Sequence, residues 1–439
     1  MFDSVGLFAD CDPLGLYSVS RICRYYEEAM GHSQSPEVVV SESSAAQPRQ
    51  TGGEIPRSKP GSRRKVFYLL DSLNVGGTEV QAVELAIRLN PEKYDVTLGC
   101  LRARGPLLER LQGSSVSVSE FYPKGGFDSP RGLYQMFRLA RFLRRGRYQI
   151  VHTHDLYANV LGIPAAAIAR VPVIISSQRD LGHLDLYKGG RRIWLRRLQK
   201  LSTAVLTNAN AVRDAVLSED QFAPEKVRVI HNGVDLERFA PPSRDRSWLA
   251  PGANQEKWIV LVGNMHGEIK GHSLLIGAAE NVVREFPEVR FLFAGDGQLR
   301  RMFEEQVARI GLERHFLFLG RRDDVPRILS CCDIGVLPSQ AEGLPNAVLE
   351  YLAAGLPTIA SRVGGNVEII QEGKTGVLVP ANDSSALAAA ILRLLRDPGY
   401  AAELGSNGRA NVAAEFSFER MIEKTDRMYS ELLQSRGVE

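Results

Sequence analysis

Glu342 and Glu350 stand eight positions apart in "AEGLPNAVLEYLAAGLP", residues 341–357. Gly343 and Pro345 between them turn the chain before a helix begins. Pro345 suits a first helical turn, where a missing N–H costs nothing. Gly355 and Pro357 end the helix. Asn346 and Glu350, four apart, then share one helical face, while Val348, Leu349 and Leu352 turn toward a core. Two carboxylates at a helix start, where exposed N–H groups attract anions, are suited to holding a polar, partly anionic ligand. The spacing alone fits a capped helix with a solvated glutamate equally well.

Other residues have similar chemical potential. Lys270, in "GNMHGEIKGH", follows a strand and precedes a helix, where an ammonium can meet a phosphate as a point charge. Solvent exposure is the commoner fate of a lysine. Gly76 and Gly77 would let a ligand approach the backbone closely, although two glycines alone also make an ordinary turn. "SSQRD", residues 176–180, is a further polar loop after a strand. His152 and His154 close the strand "QIVHTH". We expect them on opposite sides of the strand, with one facing a cleft. Position favours His154 for that role and leaves His152 to packing.

The elements that position these residues repeat a β–α alternation. "KVFYLL", "DVTLGCL", "QIVHTH", "VPVIISSQ", "AVLTNA" and "KVRVIHNGVD" read as strands separated by helical or loop segments. The pattern breaks at "FAPPSRDRSWLAPGANQ", residues 239–255, which is rich in Pro and Gly and has no period. It restarts with "KWIVLVGNM" and continues through "VRFLFAGDG", "FLFLG", "DIGVLP", "LPTIASR" and "GVLVP". Such alternation implies parallel sheets covered by helices. Neither half carries a full G-x-G-x-x-G fingerprint, which disfavours a nicotinamide enzyme. Residues 1–64, with "SESSAAQPRQTGGEIPRSKPGSRRK", read as a disordered extension. Residues 65–240 are expected to form an N-terminal domain and 241–415 a C-terminal one. Residues 416–439 are expected to form a helix packing back on the first domain. Ligands bind at the carboxyl ends of strands in such sheets, so the expected site is a cleft between the halves.

Composition narrows the function classes. Of 439 residues, 44% are hydrophobic and 24% charged, as in a globular protein, and a net charge of +3 does not suggest nucleic acid. Five cysteines with no C-x-x-C pair indicate neither a disulfide framework nor a zinc site, and the adjacent Cys331 and Cys332 suit a core in a reducing compartment. There is no 18-residue apolar run and no signal-peptide pattern, so a cytoplasmic protein is expected.

The second half resembles glycosyltransferase family 4, retaining enzymes of the GT-B fold, in which two Rossmann-like parallel-sheet domains face a cleft. The resemblance rests on Gly263, "KG" at 270–271, "GDG" at 295–297, "P-S" at 338–339, "E-G-x-P-N" at 342–346 with Glu350, "AAGLPTIAS", and "GG" at 364–365. "GGTE", "VHTHD" and "HNGVDLERF" extend it through the first half. The resemblance implies a hexosyltransferase that uses a nucleotide diphosphate sugar as donor substrate, with no cofactor and no metal. Glu350 would accept hydrogen bonds from the nucleotide ribose, and Glu342 would lie by the donor sugar. The backbone of Gly343, Leu344, Pro345, Asn346 and Ala347 would meet sugar and diphosphate. Lys270 would neutralise the leaving diphosphate. His154 would contact the sugar near the reacting carbon, with Gly76 and Gly77 approaching from the other domain. The family usually has Arg where this chain has Asn264, and Arg321, Arg322 or His266 is expected to replace its charge.

Two further readings follow from the same residues: a nucleotide-sugar 2-epimerase of the same fold, and a weakly catalytic nucleotide-sugar-binding subunit suggested by Asn264. "RLARFLRRGR", 138–147, and "GGRRIWLRRLQKL", 189–201, are arginine-dense. They fit either solvated outer helix faces or peripheral contact with the inner face of the cell membrane. The expected partners are a nucleotide-sugar donor and a glycan, lipid-linked or small-molecule acceptor, in polysaccharide or glycoconjugate biosynthesis.

Overall fold

A computed structural model describes residues 63–438, apart from 125, 128, 182–189, 221, 240–244 and 250–255. The extension expected over residues 1–64 lies almost wholly outside the described residues. Thirteen described strands form two sheets, and all pairings between neighbours are parallel. The first holds β1 (Arg64–Ser72), β2 (Tyr94–Arg102), β3 (Ser117–Glu120), β4 (Ile150–Thr153), β5 (Val173–Gln178), β6 (Ala204–Thr207) and β7 (Val227–Val229), in the order β3-β2-β1-β4-β5-β6-β7. The second holds β8 (Lys257–Val262), β9 (Val289–Ala294), β10 (Phe316–Gly320), β11 (Ile334–Leu337), β12 (Thr358–Ser361) and β13 (Val377–Val379), in the order β10-β9-β8-β11-β12-β13. Central strands are near-continuous apolar runs because helices cover both of their faces. The edge strand β3, "SVSE", has too little apolar content to announce itself in the sequence.

One face of the first sheet packs against helices Pro130–Gly146 and Asp155–Ala169. The other packs against helix Gly77–Arg88 and the C-terminal helix Phe418–Ser435. Phe418, Met421, Thr425, Met428, Tyr429, Leu432 and Leu433 recur at helical spacing and are buried, so this last helix completes the first half's core. The Tyr429 hydroxyl donates to Tyr68 Oη at 2.9 Å.

The chain crosses between halves near residues 234–256 and again near 416, and the two crossings touch: Val234 N–H donates to Phe416 O at 2.9 Å. The described part of the connecting segment is more structured than its composition suggests. Arg246 is buried over the Trp258 ring, donating to the Cys331 carbonyl at 2.8 Å and to Asp333 Oδ2 at 2.7 Å. One apolar cluster runs from Val205, Val212 and Val234 of the first half to Leu344, Leu352 and Phe416.

Candidate active site

Parallel strands place all their carboxyl ends on one side of each sheet, and the loops there carry the polar residues. In the first half, β1 and β4 pair from Val66–Ile150 to Leu69–Thr153. Just beyond the last pair, Asp71 near the end of β1 lies close enough to Asp155 for their charges to repel. His154 directly follows β4 as the N-cap of helix Asp155–Ala169 and donates its N–H to Leu69 O at 2.9 Å. Its side chain is fully buried, and neither ring nitrogen meets a hydrogen-bonding partner among the described residues. Burial, His152 and Arg179 hold its pKa well below the usual range. His154 is therefore a neutral imidazole with one donor and one acceptor uncommitted.

His152 does not lie on the opposite side, as the sequence reading had it. The two rings stack at 4.2 Å between centroids. Side chains two residues apart along a strand line one face, which explains the stacking. His152 is a packing residue nonetheless: Nδ1 bonds Tyr429 Oη at 2.9 Å and Nε2 bonds Ser177 Oγ at 2.8 Å.

Asp71 and Glu79, which sequence reasoning did not single out, complete this wall together with Arg179 of the "SSQRD" loop. Asp71 Oδ1 is buried with no hydrogen-bond partner among the described residues, and burial together with Asp155 and Glu79 pushes its carboxyl pKa well above the ordinary range. Glu79 folds back over Gly76, where an added Cβ would lie 2.2 Å from Glu79 Oε2. Burial and Asp155 push Glu79 up to about 7. The Arg179 guanidinium bonds Asn232 Oδ1, and burial lowers its pKa to about 10 against the pull of Asp155 and Glu79. A charged residue at a strand's carboxyl end was the available signal for Asp71, and the "SSQRD" loop was the signal for Arg179.

The second half supplies the facing wall. Lys270 Nζ donates to Glu342 Oε1 at 2.8 Å and Oε2 at 3.0 Å, and Ser339 Oγ donates to Oε1 at 2.6 Å. Lys270 passes over Gly263, where an added Cβ would be 3.3 Å from its Cγ. Asn264 is exposed just beyond. Of the residues expected to replace the missing arginine charge, Arg322 is bound to Asp324 by two hydrogen bonds of 2.7 Å, while Arg321 and His266 are exposed.

Gly343 is a glycine because the other half approaches it: an added Cβ would sit 2.2 Å from Arg179 O. Leu344 is buried, and its carbonyl accepts from Asn232 Nδ2 at 2.9 Å. Pro345 is the N-cap of helix Asn346–Ala353, one position earlier than expected. Asn346 bridges the halves: its Nδ2 donates to Gly77 O at 3.2 Å, and its Oδ1 accepts from Gln81 at 3.2 Å and Asn232 at 2.8 Å. Ala347 packs on the shared apolar cluster.

Glu350 faces a different environment from Glu342. It lines a cavity of about 30 Å³ with Glu84, Arg110, Arg238 and Asn346. Burial pushes its carboxyl up to about 7, against the influence of Arg238 and Arg110. The two glutamates thus occupy separate niches, one holding the lysine and one beneath two arginines.

A second joint lies at Glu368. It accepts from Asn210 N at 2.9 Å, Asn210 Nδ2 at 2.8 Å, Ala211 N at 2.9 Å and His231 Nε2 at 3.0 Å. Burial pushes this carboxyl up, but the bonds from His231, Asn210 and Ala211 outweigh it and hold the pKa at about 2.

Two Rossmann-like sheets facing each other, with a cation on one wall and an uncommitted neutral histidine on the other, are the architecture of a GT-B glycosyltransferase. The sequence profile described as Glycosyltransferase Family 4 matches residues 75–238, and that described as Glycosyl transferases group 1 matches residues 256–397. The alpha-maltose-1-phosphate synthase of Mycolicibacterium smegmatis is 31% identical over 306 residues, covering 64% of this chain and 78% of that protein. The UDP-Gal:alpha-D-GlcNAc-diphosphoundecaprenol alpha-1,3-galactosyltransferase of Escherichia coli is 27% identical over 355 residues, covering 78% of this chain and 90% of that protein. The structure of Anabaena HepE in complex with UDP and glucose has the same fold, with a TM-score of 0.76 and 22% identity, over 84% of this chain and 100% of that one. The chain belongs to glycosyltransferase family 4.

Proposed function

We propose that the chain transfers a hexose, with retention of anomeric configuration, from a nucleotide diphosphate sugar to a glycan or lipid-linked acceptor. The observation that carries this reading is the Lys270–Glu342 pair, held at the cleft end of the second sheet within reach of the helix start at Asn346. A diphosphate arriving there meets the Lys270 ammonium and the N–H groups of the helix start, which together neutralise the charge that develops as the anomeric C–O bond breaks. Glu342, released from Lys270, then faces the positive charge growing on the anomeric carbon. Glu350 accepts ribose hydroxyls. His154, neutral and uncommitted, meets a sugar hydroxyl from the opposite wall, and the new bond to the acceptor oxygen forms on the face that the diphosphate leaves, the acceptor hydroxyl passing its proton to the departing diphosphate oxygen.

A uridine donor is the first to test, because the E. coli relative is named for UDP-galactose and HepE was solved with UDP and glucose. Radiolabelled UDP, GDP and ADP sugars, each incubated with the protein and a lipid extract, test the proposal. Labelled product in the lipid or glycan fraction is expected. Conversion of the donor to its 2-epimer would overturn the reading in favour of the epimerase, and binding without turnover in favour of a binding subunit.

A further inference from the structure

Helix Pro130–Gly146 has five arginines and no acidic residue. Gly132, Leu139, Ala140 and Leu143 bury one side of it against the first sheet. Its outward side is unusual. Leu133 is 45% exposed, Tyr134 65% and Phe137 57%, a concentration of large apolar side chains within five residues. Scattered exposed apolar residues need no explanation, but a contiguous patch does.

The ridge Leu133, Phe137, Arg141, Arg145 follows a spacing of four along this outward side, so it is apolar at its N-terminal end and basic at its C-terminal end. Arg141, Arg144 and Arg145 are all exposed. Arg138 is exposed as well but is turned over the Phe121 ring, donating to Glu120 O at 3.2 Å.

The direction of the helix matters. It follows β3 and returns to the start of β4, and all the strands of the sheet are parallel. Its N-terminal end, with the apolar residues, is therefore at the carboxyl ends of the strands, where His154 lies. Phe127, just before the helix, stacks on Tyr157 just after His154, with centroids 6.1 Å apart. The helix Gly190–Gln199, the other arginine-dense segment, lies on the same sheet face, on the far side of helix Asp155–Ala169. No helix among the described residues is long and apolar enough to cross a membrane, so any lipid contact of these helices is peripheral.

We propose that this helix docks on an anionic bilayer, with Leu133, Tyr134 and Phe137 entering the interface and Arg141, Arg144 and Arg145 meeting lipid phosphates. Charge complementarity selects this occupant: a helix with five arginines and no carboxylate of its own is matched by a surface of negative headgroups. The docked orientation brings the acceptor-side mouth of the cleft to the membrane, which deepens the proposed function by making a lipid-carried acceptor the natural one.

The test uses the full chain and two kinds of extruded vesicle, phosphatidylcholine alone and phosphatidylcholine with one third phosphatidylglycerol, in a co-sedimentation assay. Binding to the anionic vesicles only, weakened by salt, is expected. Tyr134→Ser with Phe137→Ser should lower the partition coefficient by at least about tenfold. Arg141→Gln with Arg144→Gln should lower it about fivefold per arginine. Circular dichroism of each variant should match the parent, because all four side chains point to solvent. Absence of binding to anionic vesicles, or undiminished binding in both variants, overturns the proposal. A change of oligomeric state on Tyr134→Ser with Phe137→Ser, seen by light scattering, also overturns it and assigns the face to a second copy of the chain. UDP affinity, measured by calorimetry on the same samples, reports on the donor site alone, so failure of the donor reading is seen separately.

Discussion

Glu342→Gln should tighten nucleoside diphosphate binding while slowing transfer. Without ligand, Lys270 is already committed to Glu342 through contacts of 2.8 and 3.0 Å, with side chains 26% and 7% exposed. A diphosphate must take the ammonium from this carboxylate, so part of what Lys270 gives the ligand is lost in breaking the pair. A charge-assisted hydrogen bond is worth roughly 1.5–3 kcal/mol, and a neutral acceptor retains about half of that. The glutamine keeps an oxygen for Lys270 and Ser339 but releases about 1 kcal/mol or more, and it also removes a negative charge beside the diphosphate. UDP should therefore bind about five- to tenfold more tightly. The kcat for transfer should fall by roughly 10²–10³, as for loss of one electrostatic contact to the transition state. Titration calorimetry with UDP and steady-state kinetics read the two effects separately. Lys270→Ala alone should weaken UDP binding by several-fold to a thousandfold, and in that background most of the Glu342→Gln gain should vanish. Unchanged or weaker UDP affinity in a folded Glu342→Gln protein would refute the claim that the pair competes with the ligand.

Glu350→Gln should raise the donor KM, since ribose hydroxyls lose their acceptor, with a smaller effect on kcat than Glu342→Gln. The same substitution should alter the pH dependence of stability. A carboxyl held at about 7 in the fold, above its ordinary value of 4.5, favours folding below the unfolded pKa and loses that contribution as pH rises through 7. Thermal melts between pH 5 and 8 should therefore show a shallower decline in the variant. Glu368→Ala should destabilise the protein by about 1–3 kcal/mol in urea titrations at neutral pH, since it removes four hydrogen bonds to an anion whose pKa is held at about 2. Its stabilising effect is present above about 4.5 and fades as pH falls through 2, so wild type and variant should converge in strong acid. A chain beginning near Ser62 should fold and keep its turnover, tested by the same transfer assay.

The strands of both halves were legible because they are near-continuous apolar runs bounded by glycine, asparagine or proline. The edge strand β3 and the five-residue helix Leu107–Leu111 were not, since neither is long enough to show a period. In the site, Glu342 and Glu350 could be given separate expected roles because loop and helix lie in one continuous stretch. Lys270 could be named but not paired, since its contact with Glu342 depends on the packing of loops after β8 and β11. The wall of Asp71, Glu79, Asp155 and Arg179 draws on the end of β1, helix Gly77–Arg88, the start of helix Asp155–Ala169 and the loop after β5, elements that only the fold brings together. The stacking of His152 on His154 was readable from strand geometry alone, and the expectation of opposite sides misapplied it.

The contacts between halves divide by type, and this division bears on how a ligand enters. Near the two chain crossings an apolar joint through Val234, Phe416 and Leu352 is reinforced by the Glu368 hydrogen bonds, with His231 packed on Phe416. At the cleft it is polar: Asn346 to Gly77 and Gln81, and Asn232 to Asn346 and to the Leu344 carbonyl. Parting the apolar joint would expose hydrocarbon to water, whereas each polar bond is worth only about 0.5–1.5 kcal/mol net because water replaces it. The cleft side therefore opens more readily than the crossing side, which acts as a pivot. Gly77 and Asn346, the residues expected to meet the donor, are the ones bonded to each other across the closed mouth. A ligand that binds there replaces a weak link between the halves with its own contacts to both, so closure over the donor need not require an additional latch.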